Sequence, residues 1–124
     1  MRLLNQVHSG KRPAPRRTMV YGVHGVGKSS FAAAADHPIF LPEDGRGEID
    51  CDSCPLASSF EQCLEALSEL YSEDHPYRTI VVDSLDWLER MIWSDVCAKR
   101  GVETIEDCGY GKGYVFALDP WREF

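Results

Sequence analysis

The stretch Tyr21 to Ala35, YGVHGVGKSSFAAAA, constrains the fold more than any other part of the chain. Gly22, Gly25 and Gly27 crowd into it, and that density of residues without a Cβ suits the interior of neither a helix nor a strand. Thr18 to Tyr21 before it is a short apolar run. The alanine tract after it has the highest intrinsic helix propensity. The order predicts a strand over Thr18–Tyr21, a turn of bare backbone, and a helix over Lys28–Ala35.

Gly22, Val23, His24, Gly25, Val26, Gly27, Lys28 and Ser29 satisfy the spacing GxxxxGK[ST] in the strand-loop-helix setting which that pattern needs. Phosphate oxygens carry dense negative charge, and a loop without Cβ atoms lets successive N–H groups turn inward to meet them. Gly25 and Gly27 permit that approach, and the start of the helix adds its unsatisfied N–H groups. Lys28 is expected to reach the β- and γ-phosphates and the Ser29 hydroxyl to ligate Mg²⁺. The expected nucleotide-binding segment runs from Gly22 to Ser30. Ser30 enters as a helix neighbour without a separate role, and His24 fills a free position of the pattern. The plain alternative is a glycine turn beside a surface lysine.

A magnesium-nucleotide site also needs a carboxylate at the tip of a neighbouring strand, and Ile80-Val81-Val82-Asp83 supplies one in Walker B form. An ordinary strand ending in a helix-capping Asp would read the same way, but the pairing with the loop at 22–29 favours Asp83 as the metal-side acid. Ser84 is then predicted as the N-cap of the next helix. Hydrolysis requires a group that takes a proton from the attacking water. Glu43 follows the apolar strand Pro38–Leu41 at the same end of the sheet and is the predicted catalytic glutamate, alongside Lys28. Asp44 is its rival, while Asp86 and Glu89 fall on the helix after Asp83.

Beyond these motifs, Phe60, Cys63, Leu64, Leu67 and Leu70 recur at helical spacing after Ser59 and Gln62, which resemble a capping box. Leu85, Leu88, Ile92 and Val96 mark another helix, which Gly101 can end. Strand and helix alternate, so the expected class is α/β: a parallel sheet flanked by helices, with ligands at the carboxyl ends of the strands. With 44% hydrophobic and 27% charged residues, the chain falls with soluble globular proteins rather than disordered or fibrous ones. No apolar run is long enough to span a bilayer, and the expected address is the cytoplasm.

Five of the 13 basic residues, Arg2, Lys11, Arg12, Arg16 and Arg17, lie in residues 1–17, which contain no acid. Residues 1–17 therefore read as a basic flexible arm, and residues 18–124 as an acidic body unlike a binder of duplex DNA. Cys51 and Cys54 form a CxxC, but no second pair completes a four-ligand zinc site, and the expectation is loop cysteines with Cys63 on a helix face.

YGVHGVGKSSFAAAA, PIFLPEDG, TIVVDSLDWLERMIW and GVETIEDCGYGKGYVFALDPWREF together resemble phage-type P-loop nucleotide-binding proteins with a RecA-like ATPase core. The resemblance covers nearly everything after Arg17. It implies ATP as the nucleotide, Mg²⁺ held at Ser29 and Asp83, Glu43 as the catalytic glutamate, and a homo-oligomer acting on nucleic acid, single-stranded DNA included, in recombination or replication. It also implies further strands downstream, one of them between the P-loop strand and the Walker B strand, so the chain is expected to be the truncated N-terminal portion of a P-loop NTPase domain.

Two other functions fit the phosphate loop: a small nucleotide or metabolite kinase, although no arginine-rich lid follows the loop, and a non-catalytic nucleotide-binding interaction module. Arg90, Arg100 and Arg122 are equivalent candidates for an arginine finger. Gly109 to Tyr114, GYGKGY, follows a helix and a polar loop, not a strand, so the phosphate-loop mechanism does not apply to it. Tyr110, Lys112, Tyr114 and Trp121 could form a stacking platform for single-stranded DNA. Periodicity favours instead a helix face of Tyr114, Leu118 and Trp121 on the core, interrupted at Pro120.

Overall fold

The computed structural model describes residues 2–11, 13–43 and 49–124. Three parallel strands form one sheet in the order β2-β1-β3, with β1 at Pro38–Pro42, β2 at Asp52–Ser53 and β3 at Thr79–Asp83. Ile39, Phe40 and Leu41 of β1 are all buried, as a central parallel strand covered on both faces should be. β1 and β3 run in register from Pro38 opposite Thr79 to Pro42 opposite Asp83. That register brings the residue after β1, Glu43, beside the residues that end β3.

The helices are α1 (Lys28–Ala33), α2 (Phe60–Ser72), α3 (Leu85–Arg100), α4 (Lys112–Phe116) and α5 (Leu118–Glu123). Among the described residues no helix is long and apolar enough to cross a membrane. Ser59 caps α2 as predicted, its hydroxyl accepting from the Gln62 N–H at 3.3 Å, while the Gln62 side chain accepts from Ser58 N–H rather than from Ser59. Gly101 ends α3 in the left-handed conformation, φ 68°, as the C-cap reading requires. The core lies between α2, α3 and the C-terminal segment: Phe60 and Cys63 meet Leu88, Ile92, Val96 and Cys97, with Ile105 and Ala117 closing over them. Leu85, predicted on the same stripe, is partly exposed in the first turn of α3.

The predicted strand at Thr18–Tyr21 does not form. These residues pair with no strand and lie exposed, Tyr21 at 90%. The open edges of the sheet among the described residues are the outer sides of β2 and β3, Thr18–Tyr21 is paired to neither, and a four-residue segment has no hydrogen-bonded neighbour to hold it extended. The following helix is also shorter than predicted, ending at Ala33, and buries none of its residues. The described part of residues 2–17 is exposed throughout, with a single 3₁₀ turn at Leu3–Gln6.

GYGKGY is a turn leading into α4. Gly109, Tyr110 and Gly111 all have positive φ, and Gly113 lies so close to Ile105 that a Cβ there would collide with the Ile105 carbonyl oxygen. The helical stretch then breaks at Ala117, and Pro120 falls in the first turn of α5, where its missing N–H is harmless. Trp121 and Phe116 pack on the core, whereas Tyr114 and Leu118 remain partly exposed.

Candidate nucleotide site

Gly25 and Gly27 both take positive φ, 79° and 104°, which L side chains rarely adopt, so the loop geometry depends on glycine at these two positions. A turn closed by Val26 N–H donating to the Val23 carbonyl at 3.3 Å leads into α1, whose first bond runs from Phe31 N–H to the Gly27 carbonyl at 2.9 Å. Gly22 to Gly27 are exposed, while Lys28 and Ser29 are half-buried. The Lys28 ammonium folds back over the loop and donates to the carbonyls of Gly22 at 2.7 Å and Val23 at 3.0 Å. Ser30 and His24 are exposed and take part in none of these contacts.

The Ser29 hydroxyl donates to Asp83 Oδ2 at 2.5 Å, a length typical of a hydroxyl bonded to an ionised carboxylate. Residues 22–29 and the end of β3 therefore meet at one corner of the sheet, although Thr18–Tyr21 is not a strand. Glu43 sits at the same corner. Its N–H donates to the Asp83 carbonyl at 2.6 Å, and its Oε2 accepts from the Ser84 hydroxyl at 3.1 Å. The structure thus joins Ser29 and Glu43 to Asp83 by direct hydrogen bonds at the β3 terminus, while Lys28, next to Ser29 in the chain, bonds only the carbonyls of its own loop.

The remaining candidates fall elsewhere. Asp44 lies outside the described residues. Asp86 is exposed on α3, and Glu89 lies on that helix near Tyr114, whose hydroxyl is raised chiefly by its bond to Glu106, with the charge of Glu89 a lesser contribution. Of the three arginines weighed as finger donors, Arg100 stacks on the Phe116 ring at 3.5 Å and Arg122 bonds Asp119 at 3.1 Å, leaving Arg90 exposed on α3. Tyr110 is fully exposed and Lys112 is exposed beside it, but the stacking platform is not assembled, since Tyr114 turns to Trp93 and Glu106.

Cys51 contacts the Ser53 hydroxyl at 3.8 Å, Cys54 lies half-buried with its N–H on the Phe40 carbonyl, and Cys63 is wholly buried on α2. Burial raises the Cys63 thiol, and burial followed by the nearby Glu69 charge raises that of Cys54. Sequence reasoning missed Ser84. The residue predicted as a helix cap makes no side-chain cap bond and donates to Glu43 instead, and nothing in the sequence distinguishes a serine in one role from a serine in the other.

A family model described as an AAA domain matches residues 14–124. The chain belongs to this AAA-domain family. Membership places it among nucleotide-binding P-loop ATPases, a class that uses a nucleotide and typically a divalent metal. The three-stranded parallel sheet flanked by helices is consistent with an AAA domain. Comparison with curated proteins and with solved structures returns no significant match.

Proposed function

We propose that the corner formed by Lys28, Ser29, Glu43 and Asp83 binds MgATP and hydrolyses it, as part of a RecA-like, phage-type ATPase that works as a homo-oligomer on nucleic acid. The observation that carries this reading is the Ser29–Asp83 bond: the hydroxyl of the GKS triplet and the acid ending β3 share one hydrogen bond although they belong to separate elements. Nothing about core packing demands that contact, because α1 buries no residue.

The donor set fits the expected ion. Mg²⁺ takes oxygen ligands and keeps several waters, so it needs only one or two protein oxygens alongside the phosphates, and Ser29 with Asp83 supply hard oxygen donors of that kind. When bound, the ion would neutralise charge on the phosphate oxygens. Lys28 would exchange its two loop carbonyls for phosphate oxygens, which makes the loop its own substitute ligand until nucleotide arrives. Glu43 would orient the attacking water and accept its proton. The choice of ATP, the oligomer and the link to single-stranded DNA in recombination or replication rest on the resemblance of the motifs.

The test is phosphate release by the intact protein with MgATP, with and without single-stranded DNA. Turnover stimulated by DNA supports the proposal. Transfer that depends on an added nucleotide or metabolite acceptor would instead make the protein a kinase, and tight binding without turnover a nucleotide-responsive interaction module.

A further inference from the structure

We infer that Ser84 is a positioning residue for Glu43, holding one carboxylate oxygen so that the other is left for the water; this rests on the reading of Glu43 as the group that takes the proton. Ser84 occupies the N-cap of α3 with extended backbone, φ −123° and ψ 169°, the position where a serine hydroxyl normally accepts from an N–H one turn along. It makes no such bond, whereas Ser59 at the start of α2 does. The Ser84 hydroxyl acts as a donor instead and reaches Glu43 Oε2 at 3.1 Å.

Glu43 is gripped a second time, through its backbone, by the Asp83 carbonyl at 2.6 Å. Two consecutive residues at the end of β3 therefore fix the main chain and the side chain of one glutamate. A glutamate at an exposed strand end otherwise samples many rotamers, and a base must be held near one geometry to be efficient. Among the described residues Oε1 has no hydrogen-bond partner. A hydroxyl suits this purpose better than a cation would, because it orients the carboxylate without forming an ion pair that would drain its basicity.

The experiment compares Ser84→Ala, Ser84→Gly, Ser84→Thr, Glu43→Gln and the Ser84→Ala/Glu43→Gln double variant of the intact protein, reading ATP turnover, MgATP affinity by calorimetry and melting temperature. Ser84→Gly keeps a residue favoured at helix N-caps while removing the hydroxyl, so it separates positioning from folding. Loss of the hydroxyl should lower kcat about tenfold with KM and affinity changed less than about twofold, Thr should restore the rate, and Ser84→Ala should cost nothing further when Glu43 is already Gln. A wild-type rate in Ser84→Ala and Ser84→Gly, or an equal loss in the Glu43→Gln background, overturns the inference while leaving Glu43 in its role. Turnover retained by Glu43→Gln, or absent from the wild type, overturns the reading of Glu43 and this inference with it.

Discussion

Ser29 and Asp83, 54 positions apart in sequence, are joined by a 2.5 Å bond from hydroxyl to carboxylate. The exposed glycine loop has little else to tie it to the sheet, since α1 contributes no buried residue. Asp83→Asn keeps the shape but replaces a charged acceptor with a neutral one. The magnesium concentration needed for half-maximal nucleotide binding should rise about tenfold, and unfolding in urea should show a loss of about 1 kcal/mol. Unchanged magnesium dependence would mean that Asp83 only tethers the loop.

Lys28 behaves differently because its ammonium is satisfied by carbonyls of its own loop at the protein surface. Lys28→Ala should therefore leave stability within about 0.5 kcal/mol of wild type. Affinity for MgATP should nonetheless fall by about 10- to 100-fold, because charge-assisted bonds to phosphate are lost on binding. Calorimetry and thermal melting on the same preparation check both halves. A variant that melts early and still binds would reverse the assignment.

Contacts made within one turn of chain are written in the local sequence, whereas contacts between distant elements are not. The glycine loop, the end of α3 at Gly101 and the cap at Ser59 are set by residues within one turn, and each stands where spacing placed it. Glu43 and Asp83 were predicted at one end of the sheet because each follows an apolar strand, and the β1–β3 register does set them side by side. Thr18–Tyr21 departs from the sequence expectation for the opposite reason: an apolar run states that a segment can be a strand, whereas pairing depends on a neighbour that no local pattern encodes. The Ser84–Glu43 bond was hidden likewise, as a link between residues 41 positions apart.

The GYGKGY turn owes its glycines to geometry rather than to a ligand. Gly113→Ala would drive a methyl against Ile105, a buried residue, and should destabilise the protein by about 1–3 kcal/mol. Gly111→Ala places a Cβ at φ 70° and should cost about 1–2 kcal/mol. Lys112→Ala, on an exposed side chain, should change stability by less than about 0.5 kcal/mol and leave MgATP affinity untouched. Urea denaturation of the three variants checks the ranking; a loss of nucleotide affinity in Lys112→Ala would restore a ligand-binding role to this turn.

Alkaline pH should weaken the fold in two stages. Burial raises the thiols of Cys63 and Cys97 above the usual value of 9.0, and for Cys97 the neighbouring Cys108 and Asp107 add to it. Tyr114 and Tyr77 are raised above 10.0, chiefly because each hydroxyl donates to a carboxylate, Glu106 and Asp52 respectively. In every case the folded protein keeps its proton at a pH where the unfolded chain has lost it. The stabilisation is thus complete below the unfolded pKa and falls as pH rises through the folded one. Stability measured in urea should hold steady up to about pH 9, decline as unfolded thiols ionise, and decline further above about pH 10. Tyr114→Phe should flatten the second stage alone, and only partly, because the Tyr114 hydroxyl is screened by solvent. An unaltered slope above pH 10 in a Tyr77→Phe/Tyr114→Phe double variant would show that the two carboxylate bonds do not hold in solution.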